Sequence, residues 1–266
     1  MQVACLQMCS LDNIDSNLKS AARLLTQAAS RGSELAVLPE NFAFMSKDEA
    51  DKCCIAEWPK ASQVLDFLGE QAREKSMFIV GGTVSLLGSC KPGLRNACTF
   101  FSPDGECLAT YDKIHLFDID LPDESYHESA TVVAGEKPVS VDMNGWKLGL
   151  SVCYDLRFPE LYRHYSHAGC KLFPIPSAFT VPTGRAHWEC LLRARAIENQ
   201  AYVLAAGQTG THPGGRKTWG HSMIVSPWGE VIAECSEGEA VVMADISLDQ
   251  LLNIRDMLPA LKHRRL

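Results

Sequence analysis

Apolar positions recur along the chain in two alternating rhythms. Short apolar runs, VACLQM at the start, SELAVLPE around residue 37 and MFIVGGTVS from Met77, have the length and content of buried strands, the second stopping at Pro39. Between them, NLKSAARLLTQAASRG and ASQVLDFLGEQAREKS place apolar residues at helical spacing, the first closing on a glycine. NACTFFSPDGECLATYDK turns at Pro103, Asp104 and Gly105, which marks a hairpin. The same order then returns. KLGLSVC reads as a strand and PELYRHYSHAG as a helix. CKLFPIPSAF is a strand to Pro176, HWECLLRARAIENQ a helix and AYVLAAGQT a strand. GHSMIVSPWGEVIAE is a hairpin turning at Pro227, Trp228 and Gly229.

Overlaying the two series shows an internal duplication. Phe78–Gly82 and Asn96–Ala109 align with Tyr202–Ala206 and Gly220–Ala233 at one constant offset. Ser102, Pro103, Gly105 and Glu106 fall on Ser226, Pro227, Gly229 and Glu230. Earlier elements align with small gaps, LAVLPENF on LFPIPSAF and VACLQM on LGLSVC, so Glu40 falls on Ser177. Each half is then strand, helix, strand, helix, strand, hairpin. Two such halves predict an α/β fold, a four-layer αββα sandwich with the sheets paired inside and an internal pseudo-twofold. The segment Leu116–Lys137 is long, polar and without clear period, as functional loops often are. The fold is expected over residues 1–245. Residues 246–266 form a tail that starts helical and ends basic, and it reads equally as a partner contact or as a solvated end.

Composition narrows the classes. The chain has 266 residues, 46% hydrophobic and 21% charged, an ordinary globular balance. A net charge of −7 argues against nucleic acid and anionic membranes as partners, since both reward a basic face. No apolar run approaches the ~20 residues of a spanning helix, and the start lacks the marks of a signal peptide, so a cytoplasmic protein is expected. The 11 cysteines are odd in number, and none forms a CxxC pair. Most read as buried, reduced small hydrophobes.

Four residues stand out chemically. Cys153 closes an apolar run just before a tight turn, where a nucleophile is lifted out of a sheet and the Tyr154 N–H after it can face an oxyanion. A helix start nearby would favour its thiolate, although a packed core cysteine fits the spacing as well. Glu40 follows LAVLP at a strand end, where it is either an ordinary loop-start glutamate or, in a dry pocket, a general base. Lys113 in YDKIHLF is either a snorkelling surface lysine or a cation over a cleft, and Glu128 is either a solvated acid or the carboxylate that orients it.

VLPENF, YDKIHLFD, HESATVVAGEKP and LGLSVCYDLRFPE, in that order, resemble the nitrilase superfamily of carbon–nitrogen hydrolases. The resemblance runs from Met1 to about Asp245 and implies an αββα sandwich with a Glu-Lys-Cys triad of Glu40, Lys113 and Cys153, with Glu128 as a second glutamate. It implies one active site per chain, because Ser177 replaces the carboxylate in the second half. It further implies a thioester mechanism needing no metal or organic cofactor, a small-molecule amide substrate and assembly as a homodimer or larger. The second half looks like the Nit branch, whose members hydrolyse the terminal amide of 2-oxo acids derived from glutathione or glutamine. LLRARAIENQAYVLAA is closer to the glutathione-directed enzymes, whereas FDIDLP and WGHS are nearer to, or shared with, the glutamine-directed ones. Arg157 is either a surface helix arginine or the partner of a substrate carboxylate, and Phe179 and Thr183 either pack the loop or contact substrate across the cleft. Three other readings stay open: a Cys-His hydrolase using His187 or His221, a scaffold with a vestigial site, and an enzyme acting on N-carbamoyl amino acids or nitriles.

Overall fold

The computed structural model describes residues 1–48, 50–88, 93–120 and 125–265, so Cys90, the Leu121 and Pro122 of FDIDLP, and Leu266 lie outside the described residues. The strands are β1 (Gln2–Gln7), β2 (Leu35–Val37), β3 (Phe78–Val80), β4 (Val84–Leu87), β5 (Leu94–Phe101), β6 (Cys107–Asp112), β7 (Asp118–Asp120), β8 (Ser125–His127) and β9 (Ser140–Met143). They continue with β10 (Trp146–Gly149), β11 (Leu172–Ser177), β12 (Tyr202–Gly207), β13 (Thr209–Thr211), β14 (Lys217–Trp219), β15 (Met223–Val225), β16 (Val231–Glu234) and β17 (Ala240–Asp245). The helices are α1 (Ile14–Ser30), α2 (Asp51–Cys54), α3 (Gln63–Lys75), α4 (Pro159–His167), α5 (Val181–Asn199) and α6 (Leu248–Met257).

One sheet runs β17-β1-β2-β3-β5-β6, with β4 continuing the line of β3 along β5, and the other runs β9-β10-β11-β12-β15-β16. Both repeat one direction pattern, antiparallel, parallel, parallel, antiparallel, antiparallel. Register repeats too. Ile79 and Val80 pair with Phe101 and Phe100, and Val203 and Leu204 pair with Val225 and Ile224, the same pairs at the offset read from sequence. Even the irregularity recurs, between Phe100 and Phe101 and between Ile224 and Val225.

Alternation explains the layering. On β1, Val3 and Cys5 face a core shared with the second sheet, while Ala4, Leu6 and Met8 face a core with Leu18, Ala21, Leu24 and Leu25 of α1 and Leu68 of α3. On the far side Leu161, Tyr162 and Tyr165 of α4 and Trp188, Leu192 and Ala196 of α5 cover the second sheet. The result is the αββα sandwich.

Three elements differ from the sequence reading. MFIVGGTVS is two strands, because Gly82 has φ 55° and a side chain there would meet the Pro39 carbonyl at 2.2 Å. The long polar segment carries the small β7–β8 hairpin and a short 3₁₀ turn at Glu128–Ala130. Helix α5 begins at Val181, six residues before HWECLL, with Pro182 in its first turn, a place where proline loses no helical hydrogen bond. In the tail, α6 buries Leu251 and Ile254, and Arg255 donates to the carbonyls of Gln200 and Cys170.

Candidate active site

Glu40, Lys113, Glu128 and Cys153 come together in one pocket, each 2–6% exposed. Both halves hold Glu40 in place. After β2 the chain turns sharply at Asn41, whose φ is 56° and whose N–H donates to Thr83 Oγ1 at 2.8 Å. From the second half, Gln208 Nε2 donates to the Glu40 carbonyl at 3.0 Å and to Ser10 Oγ at 2.7 Å.

Lys113 follows β6, and its N–H donates to the Asn96 carbonyl on β5 at 3.0 Å. Its Nζ donates to Glu40 Oε1 at 2.9 Å and to Glu128 Oε2 at 2.7 Å. Glu128 opens the 3₁₀ turn, and its Oε2 also accepts from the Phe117 N–H at 2.7 Å. Asn96 Nδ2 closes the ring by donating to Glu40 Oε1 at 3.0 Å and Glu128 Oε1 at 2.9 Å. Burial alone would lower the Lys113 pKa, but the carboxylates of Glu128 and Glu40 hold it well above the ordinary lysine range. Burial would likewise raise Glu128, but the charges of Lys113 and Lys52 and the hydrogen bonds from Lys113 and Phe117 bring it down to about 2.

The ladder of β10 stops at Gly149, and the chain runs on to Val152, which is extended, before Cys153 turns at φ 46° into a 3₁₀ turn, Cys153–Arg157. Asp155 sets this elbow. Fully buried, it accepts from the Val152 N–H and Tyr111 Oη, both at 2.8 Å, and from the His115 N–H at 3.1 Å, with His115 Nδ1 at 2.7 Å. The Cys153 thiol is pushed well above its usual range, first by burial and then by the Glu40 charge, while Lys113 and a hydrogen bond from the Ala178 backbone pull it back. The resting sulfur is therefore a thiol beside a base, rather than the thiolate expected from a nearby helix start.

Tyr154, Arg157, Phe179 and Thr183 line the same pocket, so all eight residues singled out from the sequence surround one cleft. The Arg157 guanidinium lies 5.6 Å from the Tyr154 ring centre and 5.3 Å from that of Phe179, and its Nη1 is 3.2 Å from His187 Nδ1. Thr183 is tied locally, its Oγ1 2.9 Å from Thr180 Oγ1. Sequence reasoning missed Asn96, Lys52, Tyr126 and Arg216, of which the last three line the cleft. No histidine is among the residues lining it. His187 is exposed, and His221 stacks on Trp219 with its Nδ1 2.6 Å from the Trp219 carbonyl.

Comparison with known proteins gives the family and agrees with the fold. The carbon-nitrogen hydrolase family profile matches residues 2–256. The chain is 43% identical to the deaminated glutathione amidase of Synechocystis sp., over 98% of this chain and 97% of that one. It is 40% identical to the omega-amidase of Xenopus tropicalis, over 94% of this chain and 89% of that one. The crystal structure of Saccharomyces cerevisiae Nit3, a member of branch 10 of the nitrilase superfamily, superposes with a TM-score of 0.90 at 31% identity, covering 100% of this chain and 97% of that one. With the duplicated sandwich and the buried carboxylate, ammonium and thiol already in place, this chain belongs to the carbon–nitrogen hydrolase family.

Proposed function

We propose that the protein is an amidase that hydrolyses the terminal amide of a 2-oxo acid, preferring deaminated glutathione, through a thioester on Cys153. Glu40 takes the thiol proton as Sγ attacks the amide carbonyl. Lys113 and the Tyr154 N–H stabilise the oxyanion, each such donor lowering the barrier by about 3 kcal/mol. The amine leaves with the proton returned by Glu40. Water then attacks the thioester, giving its proton to Glu40, and the acid departs as the thiol is restored. The observation that carries this reading is the buried contact of Lys113 with Glu40 and Glu128 beside Cys153 in the cleft.

Arg157, Lys52 and Arg216 give the cleft a cationic lining suited to a substrate with carboxylates. Phe179 and Thr183 are read as substrate contacts. The name and 43% identity of the Synechocystis relative favour the glutathione-derived substrate. The second reading, an ω-amidase acting on 2-oxoglutaramate, is favoured by the Xenopus relative at 40%. Both substrates yield 2-oxoglutarate, one releasing an amine and the other ammonia, so the two are assayed side by side. Higher kcat/KM on deaminated glutathione, with no turnover by Cys153→Ala, is the expected result. Inertness toward both would remove the substrate assignment and leave the triad. Acylation that survives Lys113→Ala but not His221→Ala would remove the triad.

A cytoplasmic location and homo-oligomeric assembly belong to the same reading. Ten free cysteines among the described residues support a reducing compartment, and no described helix is long and apolar enough to cross a membrane. Leu252, Met257 and Leu258, exposed on and after α6, support the tail as part of an interface between copies.

A further inference from the structure

Two glutamates share one ammonium in this site, yet they are held differently. Glu128 receives a donor on each oxygen, Asn96 Nδ2 on Oε1 and Lys113 Nζ with the Phe117 N–H on Oε2. Glu40 receives both of its side-chain donors, Asn96 Nδ2 and Lys113 Nζ, on Oε1 alone. The Glu40 carboxylate also lines the pocket with the Cys153 thiol, whose pKa is raised by burial and then by that charge. With Oε1 already taking two donors, Oε2 is the oxygen open to a proton from sulfur.

We infer that Asn96 is a positioning residue for the triad: its amide, bridging both carboxylates, turns Glu40 Oε2 toward Cys153 as the proton acceptor and keeps Glu128 saturated as a fixed anion. The inference rests on the Glu-Lys-Cys reading above and assigns its two carboxylates separate tasks. Asn96 is well placed for this. It is 5% exposed on β5, its carbonyl accepts the Lys113 N–H, and its backbone is paired with Ser85 of β4. Its one Nδ2 carries two N–H groups, so it serves both carboxylates without adding charge. The duplication agrees. Gly220 stands at the corresponding place in the second half and Ser177 at that of Glu40, so the amide is absent where its carboxylate is absent.

The test compares wild type, Asn96→Ala, Asn96→Ser and Glu40→Gln. Two quantities are read: kcat and KM on deaminated glutathione, and the pH profile of Cys153 carbamidomethylation by iodoacetamide. The latter is followed at the Cys153 peptide by mass spectrometry, so the exposed cysteines do not interfere. Misplacing the base should lower kcat about 10²-fold in Asn96→Ala with KM nearly unchanged. The acid limb of the alkylation profile should move to higher pH, because a carboxylate that loses a donor is easier to protonate. Asn96→Ser, which keeps one hydroxyl donor, should fall between. An unshifted profile with kcat within about 3-fold of wild type, below what a misplaced base should cost, overturns the inference. So does failure of both Asn96 variants to fold, which would make the residue purely structural. If Glu40→Gln leaves alkylation and its pH profile unchanged, the triad reading itself falls. If Glu40→Gln abolishes the profile and Asn96→Ala does not shift it, only the role of Asn96 falls.

Discussion

Glu128 keeps a negative charge where burial alone would discharge it. Lys113, Lys52 and the Phe117 N–H hold its pKa at about 2, against 4.5 for a free glutamate. The folded state therefore keeps the carboxylate ionised further into acid than the unfolded chain does. Its stabilisation is complete above about pH 4.5 and is lost as the pH falls toward 2. Urea unfolding of wild type and Glu128→Gln across this range should give curves that converge on acidification, with the variant less stable by about 3 kcal/mol at pH 7, since Lys113 loses one of its two buried anions. Curves parallel throughout would show that the charge of Glu128 is not what matters. Sequence made this residue visible because it lies in its own motif, as do Glu40, Lys113 and Cys153. Asn96 was hidden for a physical reason. It opens the apolar NACTFF, where one amide resembles a strand-edge polar group. Its task exists only once the register of β4, β5 and β6 puts it between two carboxylates from distant loops.

At the scale of elements, the repeat was legible wherever turn chemistry marks it. Ser102 and Ser226 make the same contacts, accepting from Gly105 or Gly229 on the carbonyl and from Glu106 or Glu230 on Oγ. The outer strands β9 and β17 were not legible, since SVDM and AVVMAD are short, partly exposed and lack clean alternation. Nor was the hairpin β7–β8, whose DID and SYH carry little apolar signal. The repeated turns differ in what surrounds them, and this permits a comparison within one molecule. Gly105 and Gly229 have φ of 81° and 87°, so a side chain strains either by about 1–2 kcal/mol. A Cβ at 105 would also meet the Gly69 carbonyl oxygen of α3 at 2.6 Å, whereas one at 229 would meet Cδ1 of Ile197 at 2.5 Å. Backbone cannot yield as the end of an exposed isoleucine can. Gly105→Ala should therefore lower the melting temperature several degrees more than Gly229→Ala does. Equal losses would mean that φ strain alone sets the cost.

The whole molecule is arranged so that neither half holds the cleft alone. Glu40, Lys113 and Glu128 come from the first half, Cys153 from the second, and Gln208 of the second half holds the Glu40 backbone. The first sheet is completed by β17, which arrives from the end of the chain to pair with β1 from Gln2 to Gln7. In the second sheet the matching strand β9 directly precedes β10, whereas in the first the duplication closes only when β17 returns to pair with β1. Between the sheets Val3, Cys5, Val37 and Phe100 pack in one cluster with Leu148, Leu172, Leu204 and Ile224. Separating the halves would expose this shared face on both, a cost of about 25 cal/mol per Å² of apolar surface that no isolated half offsets. One cooperative transition is thus expected, although the chain exceeds the size at which domains often unfold one by one. Thermal denaturation followed by far-ultraviolet circular dichroism, tryptophan fluorescence and residual amide hydrolysis should give three superimposable curves. Four of the five tryptophans, Trp146, Trp188, Trp219 and Trp228, lie in the second half, and the fifth, Trp58, is exposed. Buried-tryptophan fluorescence thus reports mainly the second half while the hydrolysis reports the junction; fluorescence that melts apart from activity would argue against one cooperative unit.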